Sequence, residues 1–140
     1  MPALRNLTLG QWWDRSPLAF AHLKYVGYLK SPAHMLAKWN ESWEGEFLQR
    51  HTWQGRRVVD YGIGAGLLGV EVLRRGASHY FGVDISKRSL ATATKYLKKH
   101  VPEAAGRWTL LPAPQSFRSF HADVFVSQAV IQHFPSEWRV

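Results

Sequence analysis

Cysteine is absent from the 140 residues of this chain. Its absence excludes disulfides, thiolate metal sites and cysteine nucleophiles, and it fits a reducing compartment. Long apolar runs are missing as well. No stretch approaches the roughly 20 uncharged apolar residues of a membrane-spanning helix. The N-terminal MPALRNLTLGQWWDRSP has no continuous apolar region followed by a small-residue cleavage site. These absences make a soluble cytoplasmic protein without a membrane partner the default expectation. Acidic residues are scarce: 10 Asp and Glu stand against 18 Lys and Arg, for a net charge of +8 and a pI near 10.1. Such a balance can serve nucleic acid or anionic substrates. Here, however, the basic residues are dispersed (Arg56 and Arg57, Arg74 and Arg75, Lys87 and Arg88, Lys98 and Lys99) and form no arginine-rich tract. Solvated helix ends and loop edges account for them. Internal repeats and low-complexity segments are also lacking.

What is present divides into two zones. Residues 1–53 form an aromatic-rich segment carrying Trp12, Trp13, Tyr25, Tyr28, Trp39, Trp43 and Trp53. Helical spacing predicts helices from about Ser16 to Leu29 and from Ser31 to Gln49, the second opened by Ser31-Pro32 as N-cap and first-turn proline. This segment reads as a helical cap. From residue 54 to 140 the pattern becomes strand, turn, helix, repeated. Arg57–Tyr61 is the first predicted strand, and Gly66–Arg75 a helix with Leu67, Val70 and Leu73 on one face and Gly76 at its C-terminal end. His79–Val83 is the second strand. Ser86 caps a helix to about His100, with Leu90, Ala93, Thr94, Leu97 and Val101 at core spacing. Trp108–Leu111 and Asp123–Ser127 are the third and fourth strands, and Val130 opens a further helical turn. Strands alternating with helices predict an α/β fold, a Rossmann-like parallel sheet with right-handed crossovers.

Behind the first strand stands Asp60-Tyr61-Gly62-Ile63-Gly64-Ala65-Gly66. Glycines at a strand-to-helix turn permit positive φ and let a ligand approach the backbone. They do not choose the ligand, because Gly64 to Gly69 also satisfies the dinucleotide pattern G-x-G-x-x-G. Asp84, ending the second strand, can accept hydrogen bonds from two ribose hydroxyls in any doubly wound nucleotide fold. Asp60 discriminates. A carboxylate directly before the glycines repels a pyrophosphate and favours a ligand with a positive group and no phosphate, either by contact or through the turn's hydrogen bonding.

Three stretches together resemble class I S-adenosylmethionine-dependent methyltransferases. Val58 to Gly66 is similar to their first motif, Tyr80 to Ser86 to their second strand with its ribose-binding acid, and Ala122 to Phe134 to their fourth strand and following helix. The resemblance implies S-adenosylmethionine as cofactor, with Asp60, Tyr61, Gly62 and Gly64 around its methionine part. It further implies Asp84 on the ribose, Ile85 on the adenine face, and Ser127 and Gln128 near the transferred methyl. The family's usual acid after the third strand is missing from Leu110 to Gln115, leaving backbone groups or Gln115 to meet the adenine amine. The sequence supplies about four strands of the family's seven. Val124, Phe125 and Val126 read as a strand buried on both faces, which as a last strand would be an exposed edge. A truncated or split domain, or a sheet completed by a partner subunit, is therefore expected.

The resemblance demands no catalytic residue; His133, after the fourth strand, is the candidate base. Ser127-Gln128-Ala129-Val130 lacks the Asn/Asp-Pro-Pro-aromatic motif of many base-methylating enzymes in the family. The expected acceptor is a small molecule and, less so, a protein. A non-catalytic cofactor-binding subunit, an RNA methyltransferase and an NAD-type oxidoreductase stay open beside it. No metal site is expected.

Overall fold

A computed structural model describes residues 8–15 and 43–127. The helix expected over residues 16–29, most of the one expected from Ser31, and the turn after Val130 lie outside the described residues. Within them the chain forms α1 (Leu9–Arg15), α2 (Trp43–Arg50), β1 (Arg57–Tyr61), α3 (Leu67–Arg74), β2 (His79–Asp84), α4 (Lys87–His100), β3 (Trp108–Pro112) and β4 (Val124–Val126). Short 3-10 turns lie at Pro102–Ala104 and Phe117–Phe120.

The four strands are parallel and lie in the order β3-β2-β1-β4. The chain steps outward from β1 to β3 and then returns to the other side of β1. The switch point therefore falls between β1 and β4, and the carboxyl ends of those strands face the crevice where open α/β sheets take ligands. Register places Val58 opposite Tyr80 and Asp60 opposite both Gly82 and Val126.

Strand alternation sorts the side chains onto two faces. One face, with Val58 and Tyr80, packs against Leu67, Val70 and Leu73 of α3 and Ala93 and Leu97 of α4. Leu48 of α2 and Trp53 belong to this same core, and the Trp53 indole N–H donates to the Leu48 carbonyl at 2.9 Å. The opposite face gathers Val59, Tyr61, Val83 and Phe120. α4 begins where the sequence predicts: the Ser86 hydroxyl accepts from the Ser89 N–H at 3.1 Å, and Lys98, Lys99 and His100 occupy the last turn.

The sheet's edge corrects one expectation. β4 is not buried on both faces: Phe125 is 49% exposed, while Val124 and Val126 turn toward the α3–α4 core. Among the described residues β4 pairs on one side only, with β1. α1 is the second departure, because no helix is expected over Leu9–Arg15 from the sequence pattern. It docks on the first turn of α4.

Candidate functional site

The turn after β1 is built from glycines in left-handed conformations. Gly62, Gly64 and Gly66 have φ of 88°, 56° and 83°. A side chain at any of them would be strained. Gly66 also brings α3 against α4, since a Cβ there would lie 3.0 Å from the Ala93 Cβ. The turn is tied to β2: the Gly62 N–H donates to the Val83 carbonyl at 2.7 Å, and the Gly64 N–H to Asp84 Oδ2 at 3.2 Å.

Asp84 is thus the hub between the two motifs. Its Oδ1 accepts from the Ser86 N–H at 2.8 Å, and the N–H groups of Ile63 and Ile85 also favour its charge. Burial nevertheless dominates and pushes its carboxyl above the ordinary carboxylate range. Ile85, next in line, is covered by α1, because Gly10 approaches its carbonyl so closely that a Cβ would lie 3.0 Å away. Asp14, one turn on, accepts at Oδ1 from the Ser86 hydroxyl at 2.7 Å and the Arg88 N–H at 3.1 Å.

Asp60 does not stand free at the turn. It is 4% exposed, and its Oδ2 accepts from the Tyr80 hydroxyl at 2.7 Å. Burial, with a smaller contribution from the charge of Asp84, pushes its carboxyl up to about 7 against the pull of the Tyr80 hydrogen bond. At neutral pH its charge is therefore held in balance. Tyr61 turns to the opposite face, where burial raises its phenol and the Gln115 N–H opposes that rise.

The end of β4 reaches the same corner: the Ser127 hydroxyl donates to the Tyr61 carbonyl at 3.3 Å. Gln128 and His133 lie outside the described residues. Gln115 uses its side-chain amide on the Pro112 carbonyl at 2.8 Å. The corner therefore brings together Asp60, Tyr61, Gly62, Gly64, Asp84, Ile85 and Ser127. Sequence reasoning missed Tyr80, Gly82, Gly69 and Asp14. For Tyr80 the sequence carried part of a signal, which the strand register completes. Residues two apart on a strand share a face, so an aromatic two positions before the glycine opposite Asp60 can reach that acid. Nothing in the sequence connects Asp14 to Ser86. Among the described residues no cluster of three or more His, Asp or Glu side chains could hold a metal ion. No helix among them is long and apolar enough to cross a membrane.

The chain that carries these acids and the glycine turn has known relatives in sequence and fold. A family profile described as a methyltransferase domain matches residues 58–140, and the chain belongs to that family. A ubiquinone biosynthesis O-methyltransferase from Methylococcus capsulatus is 30% identical over 91 residues, covering 64% of this chain and 38% of that protein. A ribosomal protein L11 methyltransferase from Aeromonas salmonicida is 35% identical over 74 residues, covering 52% and 24%. The chain thus spans well under half the length of either relative. Among solved structures, magnesium protoporphyrin IX methyltransferase from Synechocystis with bound SAH superposes with a TM-score of 0.60 at 17% identity. That match covers 92% of this chain and 60% of the other, and it shows the shared Rossmann-like fold.

Proposed function

We propose that the chain carries the cofactor corner of an S-adenosylmethionine-dependent methyltransferase whose acceptor is a small molecule. The carrying observation is the junction of the two motifs: buried Asp84 takes the Gly64 N–H across the ends of β1 and β2, beside left-handed Gly62 and Gly64. The residues fit the cofactor. Asp84 accepts from the Gly64 N–H on one oxygen and the Ser86 N–H on the other, which fixes the carboxylate at the end of β2, where a doubly wound fold meets a ribose. The glycines let the methionine part approach the backbone, and Asp60 supplies negative charge behind it. By the family resemblance Ile85 is assigned to the adenine and Ser127 and Gln128 to the methyl end.

The bound cofactor supplies an electrophilic methyl on a sulfonium, and the protein's task is to orient donor and acceptor. No residue is required to do more, although His133 is a candidate to take an acceptor proton. The small-molecule reading is supported by the O-methyltransferase relative and by the lack of an Asn/Asp-Pro-Pro-aromatic stretch after β4. A second reading, a cofactor-binding subunit whose sheet a partner completes, is favoured by the place of β4 at the edge of the sheet formed by the described residues. Concentration-dependent mass in sedimentation would support it, and a monomer turning over a small acceptor would eliminate it.

Thermal shift with S-adenosylmethionine, S-adenosylhomocysteine and NAD tests the cofactor. Ligand at a hundred times its Kd stabilises by about 2.7 kcal/mol, so either sulfur ligand should raise the melting temperature by several degrees and NAD should not. Asp84→Ala should abolish the shift. A folded wild-type chain unmoved by both sulfur ligands would overturn the proposal.

A further inference from the structure

We propose that Tyr80 is a positioning residue of the cofactor corner: its hydroxyl holds the Asp60 carboxyl at the end of β1 and draws it toward the anion, so that affinity for a cationic ligand falls as Asp60 takes up a proton. The inference rests on the cofactor reading above and adds to it a residue that touches neither cofactor nor acceptor.

The contact is built. Tyr80 is fully buried, and its hydroxyl lies 2.7 Å from Asp60 Oδ2. Its ring occupies the space that a side chain at position 69 would need, since a Cβ on Gly69 would lie 2.5 Å from the ring's Cε1. Across the strand pair, the position opposite Asp60 is Gly82, where a Cβ would lie 2.6 Å from Leu110 Cδ2 and 3.0 Å from Ile63 Cγ2. Two glycines thus clear the path, one for the ring and one for the residues that wall it. An O–H donated to a carboxylate is about twice as strong as a neutral hydrogen bond, so the hydroxyl favours the ionised form of Asp60.

The groups acting on Asp60 oppose one another. Among the described residues, Tyr80 and Asp84, both on β2, are those whose hydrogen bonding or charge reaches it. Asp84 and burial favour the protonated acid, whereas Tyr80 favours the anion. Removing the hydroxyl must move ionisation to higher pH. At neutral pH the corner then loses the negative charge that would meet the ligand's ammonium and sulfonium.

The test is calorimetric binding of S-adenosylmethionine from about pH 6 to about pH 9, spanning the ordinary range for a buried acid shifted upward. It uses the wild type, Tyr80→Phe, Asp60→Asn and the double variant. The ligand's own ionisation is common to all four. We expect Tyr80→Phe to bind about tenfold more weakly at neutral pH, with its pH profile displaced upward. Asp60→Asn should lose that component, and adding Tyr80→Phe to it should change affinity little. An unshifted profile, or an equal loss in both backgrounds, would overturn the role. Should Tyr80→Phe fail to fold, a carboxyl NMR titration of wild-type Asp60 decides instead. A midpoint in the ordinary aspartate range, or an elevated one to which the Tyr80 resonances do not respond, would refute the role, and an elevated midpoint with the Tyr80 resonances titrating alongside it supports the role. Absence of binding by the folded wild type at every pH would instead remove the cofactor reading, and the inference with it.

Discussion

The Ser86 hydroxyl donates to Asp14 Oδ1 at 2.7 Å, joining two helices 72 residues apart in sequence. The same Asp14 oxygen accepts from the Arg88 N–H, while the Arg88 guanidinium donates to the Trp13 carbonyl at 2.6 Å. Each helix terminus thus satisfies groups that the other leaves open, and a carboxylate stands at the positive end of α4. Asp14→Ala should cost about 1 kcal/mol, the usual worth of an N-terminal cap. It should also speed amide exchange over residues 9–15 far more than in the sheet. Asp14→Asn keeps an acceptor and should lose less. Uniform protection in Asp14→Ala would show that α1 is held by its apolar contacts alone.

Gly82 gives a stability prediction with a steric cause. It lies opposite Asp60, and a Cβ there would lie 2.6 Å from Leu110 Cδ2 and 3.0 Å from Ile63 Cγ2. Its backbone needs no special φ, so the objection to alanine is space alone. Gly82→Ala should destabilise by about 1–3 kcal/mol, as overpacking does. Leu110→Ala, introduced together with it, should recover part of that loss. Denaturant midpoints of the three variants give the answer, and additive losses would mean that Leu110 is not the obstacle.

Glu71 and Arg75 separate stability from function. Glu71 is 2% exposed within α3; its Oε2 takes the Arg75 guanidinium, and its Oε1 has no hydrogen-bond partner among the described residues. Removing one member of a buried ion pair is costlier than replacing the charge. Because Arg75 is partly exposed, solvent screens the loss, and Arg75→Ala should cost about 1–2 kcal/mol. Glu71→Met should be neutral or stabilising. Neither change should alter cofactor affinity, and a binding loss in Glu71→Met would place this pair in the functional machinery after all.

The strands and the helices between them were legible because each carries its own signal. Val58 and Val59 run apolar before a glycine turn, Ser86 caps, and basic residues close α4. Parallel pairing followed from the alternation of elements, and Asp84 from its place at the end of β2. What stayed illegible depends on contacts distant in sequence. α1 is only seven residues long, too short to be stable by propensity, and it is placed by Asp14 on α4. The charge argument at Asp60 was legible only in part. Its position follows from the sequence, but its burial and the Tyr80 hydroxyl depend on strand register, which a single chain does not reveal.

That burial makes Asp60 a stability liability at neutral pH, with a sign that can be worked out. Its carboxyl is raised from 3.8 to about 7 in the folded chain. Folding therefore favours the protonated form. Below about pH 4 both folded and unfolded chains hold the proton, and no penalty arises. Between about pH 4 and pH 7 the unfolded chain ionises while the folded chain resists, so stability falls as pH rises, by about 1.4 kcal/mol per unit at most. Above about pH 7 the penalty is complete, on the order of a few kcal/mol. Asp84 is raised as well and adds to the same slope. Asp60→Asn removes the ionisable group and leaves an amide oxygen for the Tyr80 hydroxyl. It should melt several degrees higher than the wild type at pH 8, with the gap closing toward pH 4, while a residual slope from Asp84 persists. Melting temperatures across that range measure it. Equal stability at pH 8 would mean that Asp60 is stabilised as an anion by more than Tyr80. A more stable variant that no longer binds the sulfur ligands would show that the corner maintains its buried acid for binding at the expense of the fold.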